Sequence, residues 1–599
     1  MCGISGLIDL REKKISKNQI KKMNDLVQHR GPDGSGYFIK KNFALAHRRL
    51  SIIDLDNRAD QPMTYDNNFT IVFNGEIYNY LELKKKLTKE GYDFITESDT
   101  EVILASYKKW GINCVQNFNG MWAFAIYDEP NNILFMSRDR FGIKPFYYSN
   151  IDCQFRFGSE IKQLIHDNNQ NIVNLKILLQ YVDGYEENTN ETFFENIFKL
   201  QPAHNLVYDL NTNLFEIKRY YRLFPKKLNL EGPELKKKIL EILENSIKLR
   251  MRSDVRVGSC LSGGIDSSLI TSLASKLKNK SNKKFLAIHA KSIEKETDES
   301  KYAKLLEENL DLKIIEPNFQ EISDLLPEVI YTQEEPFGGL SVVMQYLVMK
   351  KSKSIPCSVL LDGQGADEVF LGYEKYHAFH LTTLFNQLKI ISVIKYITYL
   401  FFDAKINKQF IFLTITSLFP KIVLFIKKNL IKKNIFLKKE YEAFNEKIFR
   451  KFNKMNEVQI DEIEFYNLPQ LLRCEDKNSM RNSIETRLPY LDDRLVEILI
   501  SINSSIKLKK SSLKYLLRGI SRKIVPNKIL DRKKKYGFEA PSKSWINKNK
   551  DEIIEKIKYS KIINTIYVID YSNLNDFRLL WRLYNISAWE SKFNVIIKK

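Results

Sequence analysis

Gly258-Ser259-Cys260-Leu261-Ser262-Gly263-Gly264-Ile265-Asp266-Ser267-Ser268 joins two kinds of local structure. Val255 to Leu261 is expected to form a short strand. From Ser267 onward, Leu269, Ile270, Leu273, Ala274 and Leu277 recur at helical spacing, so the paired glycines fall where strand turns into helix. That junction makes an anion site, because the backbone N–H groups near the glycines, the free donors of the first helical turn and the hydroxyls of Ser262, Ser267 and Ser268 converge on one concavity. Asp266 is out of place beside phosphate unless a cation accompanies it. A magnesium-pyrophosphate unit accounts for the acid and the donors together.

The full Ser-Gly-Gly-x-Asp-Ser-Ser string resembles the pyrophosphate loop of the ATP pyrophosphatase families, which cleave ATP between the α- and β-phosphates to adenylate a substrate. The other common phosphate signature, Gly-x4-Gly-Lys-Ser/Thr, is absent from the chain. Downstream, strands and helices are expected to alternate: strand Phe285 to His289, helix Glu299 to Leu310, strand Lys313 to Ile315, helix Ser341 to Lys351 and strand Cys357 to Leu361. Such alternation argues for a parallel sheet covered by helices, with nucleotide bound beyond the carboxyl ends of its strands. Asp362-Gly363-Gln364-Gly365-Ala366-Asp367-Glu368 lies at such an end. It offers glycines for close backbone approach and Asp367 as a second magnesium carboxylate.

The chain has 599 residues, enough for two to four domains, and its 44% apolar content is ordinary for a folded protein. Its six cysteines show neither pairing nor metal-ligand spacing, so a reducing, cytoplasmic setting is expected, in keeping with the lack of a signal segment. Net charge is +21, yet no RNA- or DNA-binding motif accompanies it and much of the excess lies in lysine-rich segments such as Lys427 to Lys439 and Lys533 to Lys535. Specific nucleic-acid binding is not expected.

At the start stands Met1-Cys2-Gly3-Ile4-Ser5-Gly6-Leu7. Removal of Met1 would leave a cysteine with both a thiol and a free α-amine, a nucleophile carrying its own base. Four polar groups follow at element ends: His29-Arg30-Gly31-Pro32-Asp33, His47-Arg48-Arg49-Leu50-Ser51-Ile52-Ile53-Asp54, Phe73-Asn74-Gly75-Glu76-Ile77-Tyr78-Asn79 and Ser98-Asp99-Thr100-Glu101. In this order they resemble the glutaminase domain of class II glutamine amidotransferases. The resemblance implies that Cys2 attacks the glutamine amide and that Asn74 with the Gly75 N–H forms the oxyanion hole. It also implies that glutamine is held by Arg49 at its α-carboxylate, by Glu76 and Asp99 at its α-amine, and by Leu50, Ser51, Ile52 and Ile53 alongside. A carbonyl becoming an oxyanion needs fixed neutral donors, and a zwitterion needs one guanidinium and one or two carboxylates.

Short strands at Phe69 to Phe73, Met121 to Tyr127, Ile133 to Ser137 and Phe155 to Phe157, with helices Leu81 to Glu90 and Thr100 to Trp110, predict helices packed on antiparallel sheets. The resemblance sharpens this to an α+β, four-layer αββα sandwich of the N-terminal-nucleophile type over residues 1–220. Arg138-Asp139-Arg140-Phe141-Gly142-Ile143-Lys144-Pro145 is read as structural. Residues 230–599 are expected to form the α/β, parallel-sheet domain with a helical C-terminal part.

Glu475-Asp476-Lys477-Asn478-Ser479-Met480, Glu485-Thr486-Arg487-Leu488-Pro489-Tyr490-Leu491-Asp492, Lys514-Tyr515-Leu516-Leu517-Arg518 and Lys533-Lys534-Lys535-Tyr536-Gly537-Phe538 complete a resemblance to glutamine-dependent asparagine synthetases outside residues about 375–460. It implies ATP or pyrophosphate contacts at Leu261, Ser262, Gly263, Gly264, Asp266, Ser267, Ser268, Ile288, Asp362 and Gly363. Mg2+ would sit on Asp266 and Asp367, and Lys514 would neutralise charge at the α-phosphate. The implied small molecules are glutamine, ATP and aspartate or another carboxylate, such as a uronic acid; a β-lactam-forming synthetase is a more distant reading. A homodimer is carried as an open expectation.

Two features depart from that pattern. Asp362-Gly363-Gln364-Gly365 stands where Ser-Gly-Glu-Gly is usual, and Gln364 cannot act as the base that the glutamate supplies. The second is an insertion at 375–460, where Ile390 to Phe402 and Phe410 to Ile426 are apolar but broken by Lys395, Pro420 and Lys421, too short for a membrane span. A core or interface helix pair is expected there, with weak contact to an anionic membrane surface or another protein as the alternative.

Overall fold

The computed structural model describes the chain apart from residues 1, 166–170, 186–189, 229, 279–283, 404–405, 420–433, 446–451, 510–511, 533–541 and 599, and apart from the side chains of 408 and 409. Two six-stranded antiparallel sheets organise the first part. One has the order Ile197–Lys199, Tyr147–Ile151, Gln154–Gly158, Gly3–Asp9, Phe43–Arg49, Gly34–Ile39. The other runs Leu214–Arg219, His204–Asp209, Ile133–Arg138, Gly120–Asp128, Phe69–Ile77, Met63–Tyr65. Period-2 alternation sets the layers. Ile4, Ile8, Phe43 and Leu45 of the first sheet meet Val72, Ala123, Ala125 and Met136 of the second in one core. Their neighbours point the other way: Leu7, Ala44 and Ala46 pack with Ile20 and Met23 of helix Lys17–Asp25. Ile71, Phe73, Trp122 and Phe124 pack with Leu83 and Leu87 of helix Tyr80–Lys89 and with Val102 and Ile103 of helix Asp99–Trp110. The result is the αββα sandwich.

The second part is built on a five-stranded parallel sheet, ordered Leu310–Ile315, Phe285–Ala290, Val257–Cys260, Val359–Leu361, Glu485–Arg487. Val257–Cys260 lies between the strand that follows it in the chain and one that arrives much later, so the connections leave it in opposite directions. A crevice for a ligand opens at such a point. Both glycine loops begin there. An apolar layer welds the two parts, since Leu50, Ile52, Ile53, Tyr78 and Met121 share one buried cluster with Leu249, Val257, Leu261 and Leu488.

Three expectations need correction. Helix Glu299 to Leu310 is instead a short helix, Ser300–Ala303, followed by a 3-10 segment, Lys304–Asn309, and Leu310 opens the next strand. Glu294 to Asp298 form a turn whose Asp298 side chain takes the Ser300 N–H, and Leu310 must pair with Phe285, which shortens the helical stretch at both ends. The strand at Phe69 runs on to Ile77, which puts Asn74, Gly75 and Glu76 inside the sheet. In the insertion, Ile390–Phe402 is a helix as read, but only Tyr396 and Leu400 are buried in it, while Ile391, Ile394, Phe401 and Phe402 are exposed; it is not a core helix. The second run gives helix Lys408–Leu418, and its remainder from 420 lies outside the described residues, as does Lys533 to Phe538. Among the described residues no helix is long and apolar enough to cross a membrane.

Candidate active sites

Cys2 directly precedes the central strand Gly3–Asp9 and is buried. Its backbone nitrogen donates to Asn74 Oδ1 at 3.2 Å, and its carbonyl accepts from Arg30 Nε at 3.1 Å. Asn74 Nδ2 is buried with no hydrogen-bond partner. An unused amide donor fixed beside a nucleophile is what an oxyanion hole requires. Gly75 is obligatory, with φ at +156° and a Cβ that would come within 2.1 Å of the Met121 carbonyl oxygen. Burial raises the Cys2 thiol's pKa, and a hydrogen bond with the Leu50 backbone works against the rise.

Around Cys2, Arg49 is buried, its Nη1 donating to Asp60 Oδ1 at 2.7 Å and the Asp56 carbonyl at 2.9 Å, and its Nη2 to the Asp54 carbonyl. Asp99 Oδ2 accepts the Ile77 N–H at 2.8 Å, yet burial pushes the Asp99 carboxyl up to about 6. Glu76 is raised further, by burial and by Glu485, although Arg487 Nη2 lies 3.3 Å from its Oε1; its Oε2 is buried and unpaired. Leu50, Ile52 and Ile53 belong to the apolar layer, and the Ser51 N–H donates to Asp33 Oδ2 at 2.8 Å.

At the parallel sheet, the loop from Leu261 to Ser268 caps strand Val257–Cys260 and enters helix Ile265–Lys278. Gly263 has φ +86°, and a Cβ there would stand 2.9 Å from the Glu299 carbonyl oxygen. Ser262 and Ser267 hydroxyls lie 2.9 Å apart, the Gly264 N–H donates to Ser262 Oγ at 3.2 Å, and Ser268 Oγ is buried without a partner. Leu261 is anchored from both sides, its N–H on the Ile288 carbonyl at 2.8 Å and its carbonyl accepting from His289 Nδ1 at 2.8 Å. Gly363 of the second loop faces this one, since its Cβ would lie 3.4 Å from Asp266 Cβ.

Lys514 Nζ sits between Asp266 and Asp367, 2.6 Å from an oxygen of each. Burial alone would lower this lysine, but the two carboxylates outweigh it and its pKa is raised. Lys514 holds φ +52°, a backbone state that costs energy in a non-glycine residue. Gly372 makes the clamp possible, because a Cβ there would strike Asp367 Oδ1 at 1.8 Å and Lys514 Cε at 2.1 Å. Asp266 Oδ1 is buried with no hydrogen-bond partner. Two carboxylates with a spare oxygen lone pair suit a magnesium ion that completes its shell from phosphate and water. Among the described residues no group of three or more His, Cys, Asp or Glu side chains forms a protein-only cage.

Some residues in the quoted motifs received no role from the sequence. Arg30, fully buried, extends Nη1 to Glu160 Oε1 at 3.1 Å and Nη2 to Asp476 Oδ2 at 2.9 Å. Lys144 Nζ lies 3.4 Å from the other Asp476 oxygen. Glu334 accepts the N–H groups of Ile161 and Lys162 at 2.9 and 2.8 Å and Lys477 Nζ at 2.6 Å. Glu475, next to Asp476 on helix Leu468–Arg481, accepts from Gln345 Nε2, and Thr486 and Gln364 also face its carboxylate.

Comparison with known proteins agrees with the two-part geometry. Residues 1–221 match a glutamine amidotransferase domain, and residues 238–579 match asparagine synthase. The chain belongs to the family of glutamine-hydrolysing asparagine synthetases. Glutamine-hydrolyzing asparagine synthetase 1 of Bacillus subtilis (strain 168) is 31% identical over 99% of this chain and 96% of its own length. A putative asparagine synthetase 2 of Methanocaldococcus jannaschii is 37% identical over 62% of this chain and 76% of its own. Amidase chyE of Penicillium rubens is 25% identical over 96% of this chain and 94% of its own. Among solved structures, a B. subtilis glutamine phosphoribosylpyrophosphate amidotransferase aligns over 53% of this chain and 81% of its own at 15% identity and a TM-score of 0.29, too distant to bear on activity.

Proposed function

We propose that residues 1–220 hydrolyse glutamine and that residues 230–599 use the ammonia to amidate aspartate, with ATP leaving as AMP and pyrophosphate. The clamp of Lys514 between Asp266 and Asp367, at the mouth of the serine-glycine loop, carries the adenylation half of this reading. The triphosphate would lie on the Ser262–Ser268 loop and the first turn of its helix, where free N–H groups and the Ser268 hydroxyl can meet phosphate oxygens. A magnesium ion held by Asp266 and Asp367 would neutralise the pyrophosphate leaving group. Lys514, displaced from its carboxylates, would then turn to the α-phosphate as the aspartate β-carboxylate attacks, giving β-aspartyl-AMP.

In the glutaminase half, Cys2 would attack the side-chain amide while Asn74 Nδ2 and the Gly75 N–H take the developing oxyanion. Arg49 would exchange Asp60 for the glutamine α-carboxylate, and Asp99 with Glu76 would receive the α-amine. Ammonia would cross the apolar layer containing Leu50, Tyr78 and Met121. Purified protein supplied with glutamine, ATP and a panel of carboxylic acids tests the whole: aspartate should support AMP release and asparagine formation in equal amounts. A uronic acid is the second reading, favoured by the Asp362–Gln364 departure and by the exposed apolar face of helix Ile390–Phe402; AMP release with a uronic acid and none with aspartate would select it.

A further inference from the structure

Ammonia that attacks an acyl-adenylate becomes a protonated amine in the tetrahedral adduct, and that nitrogen must lose a proton before the adduct can collapse to an amide. The loop facing the adenylation site carries Gln364 where the family pattern has glutamate, and a carboxamide takes no proton at neutral pH. Asp266 and Asp367 each hold Lys514 through one oxygen and are the carboxylates read above as the magnesium pair. Glu368 Oε1 accepts from Tyr373 Oη at 2.9 Å and Asn467 Nδ2 at 2.6 Å.

Glu475 is the carboxylate that Gln364 itself meets. It is 2% exposed, no cation pairs with it among the described residues, its Oε2 accepts from Gln345 Nε2, and its Oε1, like Oε2 of Glu368 and Oδ1 of Asp266, is buried with no hydrogen-bond partner. Gln364 lies against its carboxylate, and Gln364 follows Gly363, which touches Asp266 and Ser267 of the pyrophosphate loop. Asp362, hydrogen-bonded with Cys260, is its negative neighbour.

We infer that Glu475 is the proton acceptor for ammonia attack, with Gln364 and Gln345 orienting its carboxylate. This rests on the amidation reading above. The nitrogen lone pair forms the C–N bond as the carbonyl π pair moves to oxygen, and one N–H proton passes to Glu475. Collapse of the oxyanion then breaks the bond to the adenylate oxygen, and AMP departs with that electron pair. Burial and the charge of Asp362 both raise the Glu475 pKa.

The reaction divides into two measurable halves, acceptor-dependent exchange of labelled pyrophosphate into ATP and ammonia-dependent amide formation. Glu475→Gln should keep the exchange within about threefold of wild type and lose about 100-fold or more of amide formation, within the range general-base catalysis supplies. Moving the carboxylate, Glu475→Gln with Gln364→Glu, should recover tenfold or more of that loss. Glutaminase activity of each variant reports that it is folded. Full amide formation by Glu475→Gln overturns the inference, and so does equal loss of both halves without recovery in the double variant. A wild-type protein that shows no exchange with any carboxylic acid overturns the amidation reading instead.

Discussion

Arg30 Nη2 donates to Asp476 Oδ2 at 2.9 Å across the junction of the two parts, while Arg30 Nε holds the carbonyl of Cys2. One guanidinium therefore ties the backbone of Cys2 to a helix of the synthetase part. The adjacent residue on that helix, Glu475, faces Gln364 of the loop Asp362 to Glu368. Helix Leu468–Arg481 thus touches the surroundings of both reactions through neighbouring side chains, and its position is fixed by charges that water does not reach.

Breaking that tie should destabilise the junction before it changes any chemistry. Asp476→Asn leaves Arg30 with Glu160 as its remaining carboxylate and Lys144 against a neutral amide, and removing one partner of such a buried group costs up to about 3–5 kcal/mol. Denaturant unfolding should show an earlier transition, and asparagine formed per glutamine hydrolysed should fall. An unchanged transition with unchanged coupling would show that the tie is dispensable.

Cys2→Ala should abolish glutamine hydrolysis while leaving ammonia-dependent synthesis, because the thiol acts only in the first half of the reaction. The check is asparagine formation with ammonium chloride in place of glutamine. Loss of both activities in a folded variant would argue against separate sites.

Asp266→Asn and Asp367→Asn should each abolish acceptor-dependent AMP formation and weaken binding of magnesium pyrophosphate, with glutaminase retained. In either variant Lys514 keeps one carboxylate instead of two, so its pKa should also fall. Isothermal titration with magnesium pyrophosphate gives the direct readout. Wild-type affinity in both variants would remove the metal role.

Glutamine binding should weaken in acid through Asp99, whose carboxyl is pushed up to about 6. Below that pH it is neutral and attracts the substrate's ammonium poorly, so KM for glutamine should rise as pH falls from 7 to 5. Folding responds with the opposite sign. A folded pKa above the unfolded value near 3.9 means that this group lowers stability as pH rises from about 4 to 6. Asp99 therefore predicts weaker binding without unfolding, seen as a raised KM with an unchanged circular dichroism spectrum. Asp99→Asn should have a high KM at both pH values.

Most of the architecture was legible because its signals are local. Strand alternation such as Ile4, Leu7, Ile8 and the glycine-to-helix junction at Gly263 are written in neighbouring residues. What escaped depends on distance. Arg30 and Asp476 are 446 residues apart, and no periodicity reveals that one buries the other. Gly372 lies outside every motif, yet it leaves the space that Asp367 and Lys514 fill. Helix Ile390–Phe402 shows the converse limit: its composition reads as core or interface without saying which, and its neighbours cover only one edge of it.

Restoring a glutamate at position 364 separates the two ideas about this pocket by the sign of an interaction. If Gln364 is merely a missing base, Gln364→Glu should keep or raise asparagine formation. If Glu475 already does that work, the new carboxylate faces an existing one, and two like charges about 4 Å apart at an effective dielectric near 20 cost about 4 kcal/mol. The pair would then hold one proton between them and titrate in two steps, with one member neutral near pH 7. Gln364→Glu alone should therefore slow ammonia-dependent synthesis by about tenfold and shift its acid limb to higher pH. In the Glu475→Gln background the same substitution should speed synthesis. Effects of opposite sign in the two backgrounds are the mark of direct coupling. A substitution that raises synthesis equally in both would return the proton to position 364 and leave Glu475 without a part in the reaction.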